Sequence, residues 1–177
     1  MEIKYFKNLD GIRAIAVLMV MLSHFLTPLH SKFNILQQLL NKSSMLGQLG
    51  VSLFFVLSGF LITRILLNTK EKKQYFKNFY VRRILRIFPL YYLFLILFYY
   101  IFPFILDTEI PKFSQQLYYF TYLQNFAITF KWDSVGPIHF WSLAVEEHFY
   151  IFWPFIIYFF KDNKVIRIII LLIVSSL

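Results

Sequence analysis

The feature that most constrains this chain is a series of long apolar stretches. A helix that crosses a bilayer needs about 20 mostly apolar residues. Four segments reach or approach that length: 9–29, interrupted by Asp10, Arg13 and His24; 46–67, charged only at Arg64; 84–106, charged only at Arg86; and 139–160, which holds Glu146, Glu147 and His148. A fifth, 165–177, is apolar as far as the sequence runs. It makes about 20 Å of helix, short of a hydrocarbon core of about 30 Å, so the sequence reads as cut within a helix. Hydrophobic residues make up 59% of the 177 residues and charged residues 15%, against about 45–50% and about 25% in soluble domains. Such a chain has more apolar surface than a soluble core can hide, and its hydrophobicity excludes disorder. Cysteine is absent, which removes disulfides, Cys-zinc sites and thiol chemistry. The expected fold class is an all-α integral membrane protein of four to five transmembrane helices.

The first segment reads as a retained span rather than a cleaved leader. Asp10 and Arg13 interrupt what should be a clean apolar run, and no small-x-small site follows Leu22. The aromatic stretch 113–130 carries Gln115, Gln116, Gln124 and Asn125 and is short for a span. The positive-inside rule weighs on it. If it does not cross and the N-terminus is cytoplasmic, then Lys4, Lys7, Arg13, the cations from Arg64 to Arg86, Lys161, Lys164 and Arg167 lie inside. Only Lys32, Lys42, Lys112 and Lys131 then lie outside. A crossing would spoil that balance, so 113–130 is expected to be an aromatic interfacial or re-entrant segment on the outer side. The net charge of +9 therefore reads as topology. Lys70, Lys72, Lys73 and Lys77 fit a cytoplasmic loop, the alternative being a site for phosphates or anionic lipids. No helix-turn-helix, RNA-binding or zinc motif accompanies them, so nucleic acid is not an expected partner.

Ionisable residues inside membrane helices are expensive and mark function by default. Arg13 and His24 differ by only about 20° around a helix and by about 16 Å along it. Arg13 is then near the inner interface and His24 in the outer half. Arg13 either snorkels, paired with Asp10 one turn earlier, or serves a substrate. His24 is either a hydrogen-bonded helix-end histidine or a general base, since its ring titrates near neutrality. In the fourth segment His139, Ser142 and Glu146 share one helical face, with Glu147 about 100° away. A buried carboxylate there would pair with an arginine or hold a histidine in one tautomer. Trp141 fits an interfacial belt; Tyr150 lies too far inside for one. Arg82, Arg83 and Arg86 open the third segment, either snorkelling into head groups or gripping phosphates bidentately. Pro89 would then fall in the first turns. Gly47, Gly50, Ser58 and Gly59 suit close helix packing.

Four motifs carry a resemblance: LDGIRAIAVLMVMLSHF (9–25), GVSLFFVLSGFLIT (50–63), FYVRRILRIFPLYY (79–92) and HFWSLAVEEHFYIFWP (139–154). In this order and spacing they resemble the membrane-bound acyltransferase 3 family, over nearly the whole chain but only the N-terminal part of the family domain. The resemblance implies a multi-pass enzyme of the bacterial cytoplasmic membrane that O-acylates cell-envelope carbohydrate. The donor would be acyl-CoA, commonly acetyl-CoA, used as a co-substrate, with no permanently bound cofactor and no metal. The family's first-helix arginine and histidine match Arg13 and His24, with Asp10 in support. Its Arg-x-x-Arg motif matches Arg83 and Arg86, for the donor's phosphates. Its Trp-Ser-Leu-x-x-Glu-x-x-Phe-Tyr motif matches Trp141, Ser142, Leu143, Glu146, Phe149 and Tyr150. His148 stands where glutamine is common, and Ser52 where aspartate often is. The implied mechanism has His24 deprotonate a sugar hydroxyl or help relay the acyl group, Glu146 orient or charge it, and Arg83 and Arg86 hold CoA. Expected partners are the bilayer, acyl-CoA and a carbohydrate, with an oligomer or complementing chain as an open alternative. Rival readings are an inactive truncated fragment and a small proton-coupled transporter, though no inverted repeat supports the latter.

Overall fold

The computed structural model describes residues 7–26, 34–160 and 162–175, and among them every regular element is helical. Lys4, Lys32 and Lys161, the 27–29 end of the first expected span and the 176–177 end of the last lie outside the described residues. The chain is an all-α membrane protein. It divides into two compact units, Met1–Asn68 and Thr69–Leu177.

The first unit holds α1 (Lys7–Leu26) and most of α2 (Asn34–Thr69). Small residues set their approach. A Cβ on Gly47 would overlap the Ser23 side chain, and one on Gly50 would lie 2.8 Å from the Ala16 carbonyl oxygen. Gly47 meets Ser23 while Gly50 meets Ala16 and Val20, so the two helices run antiparallel. Without a hydrophobic drive between helices in lipid, such close backbone contact supplies the van der Waals gain. Ala16 is fully buried here, and Ser23 is buried with its hydroxyl on the Val20 carbonyl at 2.8 Å. Gly59, expected to pack likewise, has nothing near its Cβ position. Its carbonyl accepts the Thr63 hydroxyl instead.

The second unit is built on a rod of 32 residues, Tyr75–Leu106. It comprises α3 (Tyr75–Ile96), a π-helical turn (Leu97–Ile101) and α4 (Phe102–Leu106). The rod begins nine residues before the expected start of the third span. Lys77, Arg82, Arg83 and Arg86 therefore lie on the helix, and only 70–74 connects α2 to α3. Charge had read as loop there, whereas a helix can run on past the hydrocarbon edge. Pro89 is consequently an interior residue, not a first-turn one. Its missing N–H removes a helical donor. The wide turn precedes Pro103, the residue at which the helix again lacks a donor.

Among the described residues three helices are long and apolar enough to cross a membrane: Asn8–Phe25, Met45–Thr69 and Tyr75–Leu106. The fourth expected span, α7 (Trp141–Phe159), has 19 residues, about 28 Å of length, but is not one of them, because Glu146, Glu147 and His148 lower its hydropathy. It packs antiparallel to α3. At one end the Lys70 ammonium donates to the Phe160 carbonyl at 2.8 Å, and the Tyr75 and Tyr80 hydroxyls donate to the Pro154 and Ile151 carbonyls. At the other, the Tyr91 and Phe94 rings meet Phe140 at 5.4 and 5.0 Å. α8 (Asp162–Ser175) follows.

Between α4 and α7 the chain makes α5 (Phe113–Phe120) and α6 (Gln124–Thr129). At about 12 and 9 Å neither can span. The segment leaves and returns at one end of the rod, where the Val135 amide reaches the Gln115 carbonyl, so it does not span, in keeping with the expected interfacial or re-entrant segment. Buried backbone outside long helices needs hydrogen-bond partners, and here tyrosines supply them. The Tyr91, Tyr92 and Tyr99 hydroxyls donate to the carbonyls of Tyr119, Phe120 and Val135 at 2.7, 3.1 and 2.6 Å, and Tyr100 donates to the Gln116 side-chain oxygen. α5 closes in a Schellman turn, Leu123 N–H to Tyr118 and Tyr122 N–H to Tyr119. Tyr122 takes the left-handed position at φ 56, where glycine is the ordinary choice.

Candidate active site

α7 gathers the polar groups of the second unit. Glu146 and Glu147 are both buried. The Tyr150 hydroxyl, one turn further on, donates to Glu146 Oε1. The Arg83 guanidinium of α3 lies over the Tyr150 ring, 4.6 Å from its centroid, and 5.8 Å from that of Phe79. Cation–π contacts are worth about 0.5–2 kcal/mol, rising as the cation loses water. Arg83 is also within electrostatic reach of Glu147, whose neighbour is Glu146. The two adjacent carboxylates are thus buried in protein rather than turned to lipid, one held by the Tyr150 hydroxyl and the other near a half-buried arginine.

The re-entrant segment closes the other side of this cluster. The Tyr122 ring stacks on Tyr91 at 4.3 Å and on Phe88 at 5.7 Å. The His148 imidazole hydrogen-bonds the Tyr122 backbone, and its ring lies 5.5 Å from Phe126. Position 148 thus ties α7 to the segment. Glu147 is within electrostatic reach of Tyr122. Burial first, and that carboxylate second, push the Tyr122 hydroxyl well above its ordinary range, so it stays protonated. The fully buried Gln124 donates its amide to the Phe140 carbonyl at 2.9 Å and to the Tyr91 hydroxyl at 3.3 Å.

The residues named from sequence divide clearly. Arg83, Glu146 and Tyr150 come together. Arg86 is exposed on α3, and Trp141 is exposed at the start of α7. The expected face of His139, Ser142 and Glu146 does not form as one helical stripe. His139 lies in a 3₁₀ turn, Ile138–Phe140, and it is its carbonyl that accepts the Ser142 hydroxyl at 3.2 Å. In the first unit Asp10 occupies the first turn of α1, where the helix dipole favours an acid. Arg13 is half-buried with an orphaned Nε, and His24 is exposed in the last turn.

Sequence reasoning missed Tyr122 and gave Gln124, Asn125 and Glu147 no role. Polar side chains inside a short aromatic segment were the available signal. Tyr122 Oη, Gln124 Oε1 and Asn125 Oδ1 are buried without a hydrogen-bond partner. An unsatisfied buried polar group costs about 1–3 kcal/mol, so three within four residues need a reason.

The sequence matches the family described as an acyltransferase domain over residues 6–177. The peptidoglycan O-acetyltransferase OatA of Listeria monocytogenes is 35% identical over 186 residues, covering 97% of this chain and 27% of that protein. YrhL of Bacillus subtilis, named as a candidate peptidoglycan O-acetyltransferase, is 36% identical over 163 residues, covering 85% of this chain and 23% of its own length. The chain spans about a quarter of the length of these curated relatives. No solved structure matches. With 35% identity across 97% of its length and a family match that contains all four motifs, this chain belongs to the acyltransferase 3 family.

Proposed function

We propose that this protein moves an acyl group, most simply acetyl, from acyl-CoA to a hydroxyl of a cell-wall carbohydrate at the bacterial cytoplasmic membrane. The observation that carries this reading is the pair of buried carboxylates Glu146 and Glu147, with Tyr150 on Glu146 and the half-buried Arg83 over the Tyr150 ring, in a chain whose relatives are named peptidoglycan O-acetyltransferases. Ionisable groups inside membrane helices are costly and mark function by default.

In this reaction the acceptor oxygen forms a bond to the acyl carbon while the carbon–sulfur bond breaks. The hydroxyl proton passes to a base, and the departing thiolate is protonated to free CoA. His24 is the proposed base, because a neutral imidazole can take that proton near pH 7. Arg13 and Asp10 support its helix. Arg86 and Arg83 are proposed for the donor's phosphates. Guanidinium N–H groups lie in the plane of the group, so stacking over Tyr150 is compatible with bidentate phosphate bonds. Glu146, fixed by Tyr150, is proposed to stabilise positive charge as it develops in the reaction. Trp141 and Ser142 hold the start of α7.

The N-terminus is proposed to be cytoplasmic. The end of the second unit that carries Lys70, Lys72, Lys73 and Lys77, tied to Phe160, then faces the cytoplasm, in keeping with the positive-inside rule. The deciding experiment follows labelled acetyl from acetyl-CoA into peptidoglycan in native membranes holding the full protein. His24→Ala, inserted at the wild-type level, is expected to lower transfer about 10²–10⁴-fold. Undiminished transfer would overturn the assignment of His24.

A further inference from the structure

We propose that the re-entrant segment 122–125 is a hydroxyl-recognition subsite for the acceptor glycan, in which Tyr122 Oη and Gln124 Oε1 hold sugar hydroxyls. The inference rests on the reading that the acceptor is a carbohydrate, and it names the residues that select it.

The chemistry follows from which atoms are already committed. Gln124 cannot turn its amide round, because the Phe140 carbonyl accepts a hydrogen bond and needs the N–H. The Tyr91 hydroxyl gives its proton to the Tyr119 carbonyl and accepts from Gln124, so it is satisfied. Gln124 Oε1 is left as a fixed acceptor, in a side chain that is 0% exposed. Tyr122, at 7% exposure, is held by its ring on Tyr91 and by its backbone on His148. Its hydroxyl contributes to neither contact and has no hydrogen-bond partner. A phenylalanine would make the same ring contact without burying an oxygen. Yet a tyrosine stands at this left-handed position, which disfavours any side chain. Asn125 Oδ1 is a third buried oxygen of the same kind.

The complement must therefore donate to Gln124 and exchange hydrogen bonds with the Tyr122 hydroxyl. Polyols do both. An acyl chain or thioester carries no donor, so it cannot satisfy Gln124 Oε1. Phe140, whose carbonyl fixes Gln124, lies at the opposite end of α3 and α7 from Lys70 and Phe160. A neutral polyhydroxyl ligand supplies the donors and acceptors that both atoms need.

The test is Tyr122→Phe in the full protein in native membranes, with acetyl-CoA and a soluble, uncross-linked peptidoglycan strand as acceptor. Removing an unpartnered hydroxyl should leave the melting temperature equal or higher. The KM for the strand should rise about 3- to 10-fold, the loss of one hydrogen bond, with the KM for acetyl-CoA unchanged. An unchanged strand KM, or an equal rise in both KM values with a lower melting temperature, would overturn the subsite. Should the wild-type protein transfer no acyl group, equilibrium binding of the same strand decides. Weaker binding to Tyr122→Phe than to wild type upholds the subsite while the transfer reading fails, and equal binding overturns it.

Discussion

The two units solve the same problem, holding helices together in lipid, by opposite means. In Met1–Asn68 the helices touch through glycine: Gly47 and Gly50 of α2 lie against Ser23 and Ala16 of α1. In Thr69–Leu177 the elements are spaced by rings and joined by hydroxyls, with Tyr75, Tyr80, Tyr91, Tyr92 and Tyr99 each donating to a backbone carbonyl of another segment. Close glycine packing leaves room for no polar group larger than a hydroxyl such as that of Ser23. Aromatic spacers keep backbones apart and bring polar tips with them, so the second unit can bury Glu146 and Glu147, with Arg83 beside them. One unit should therefore be broken by adding a methyl group, the other by removing an oxygen.

The largest effect is expected in the first unit. Gly50→Val places carbon 2.8 Å from the Ala16 carbonyl, a backbone atom that cannot step aside, and should destabilise by about 1–3 kcal/mol or more. Gly59→Ala is the control. Nothing lies within 4 Å of its Cβ position, and alanine should gain about 0.5–1 kcal/mol in a helix interior. Thermal unfolding in detergent reads both, and equal behaviour of the two variants would refute the glycine contact. Next in size is Tyr91→Phe. It strips the Tyr119 carbonyl of its donor and Gln124 of an acceptor, at about 1–3 kcal/mol. Faster amide exchange should appear over 119–124 while 45–69 stays protected. Exchange rising equally in both would show that the hydroxyls are not what joins the segment.

The smallest expected effect is of pH. Burial raises the hydroxyls of Tyr119 and Tyr122 above their ordinary value. The folded form then keeps its proton after the unfolded form has lost it. This contribution to stability is whole below about pH 10 and is lost as pH rises through the higher folded-state values. Alkali should loosen the second unit, whereas residues 8–68 contain no tyrosine and should be spared. Chemical shifts or exchange rates that fail to separate the units above pH 10 would contradict this.

Much of the fold was legible because membrane crossing is a one-dimensional property. Length and apolarity placed the spans, and charge balance kept 113–130 from being counted as one. The start of α3 was illegible for the same reason. Lysines and arginines between 70 and 86 lower local hydropathy, although a helix is free to continue into the head-group region. The motif residues Arg83, Glu146 and Tyr150 could be named from the sequence. That Arg83 sits on the Tyr150 face, and that Tyr150 bonds Glu146, required two helices to be set side by side.

By itself, then, the sequence determined that the chain is helical, lives in a bilayer, and carries the acyltransferase motifs. Each of these depends on which residues occur and at what spacing. Tertiary structure alone decided that Glu147 lies within electrostatic reach of Arg83, that His139 leaves the helical stripe, and that Tyr122 turns the chain in a left-handed conformation with its hydroxyl unpartnered. These facts depend on distances between residues remote in the chain. Such distances follow from how rings and backbones pack in three dimensions, and no periodicity along one helix encodes them.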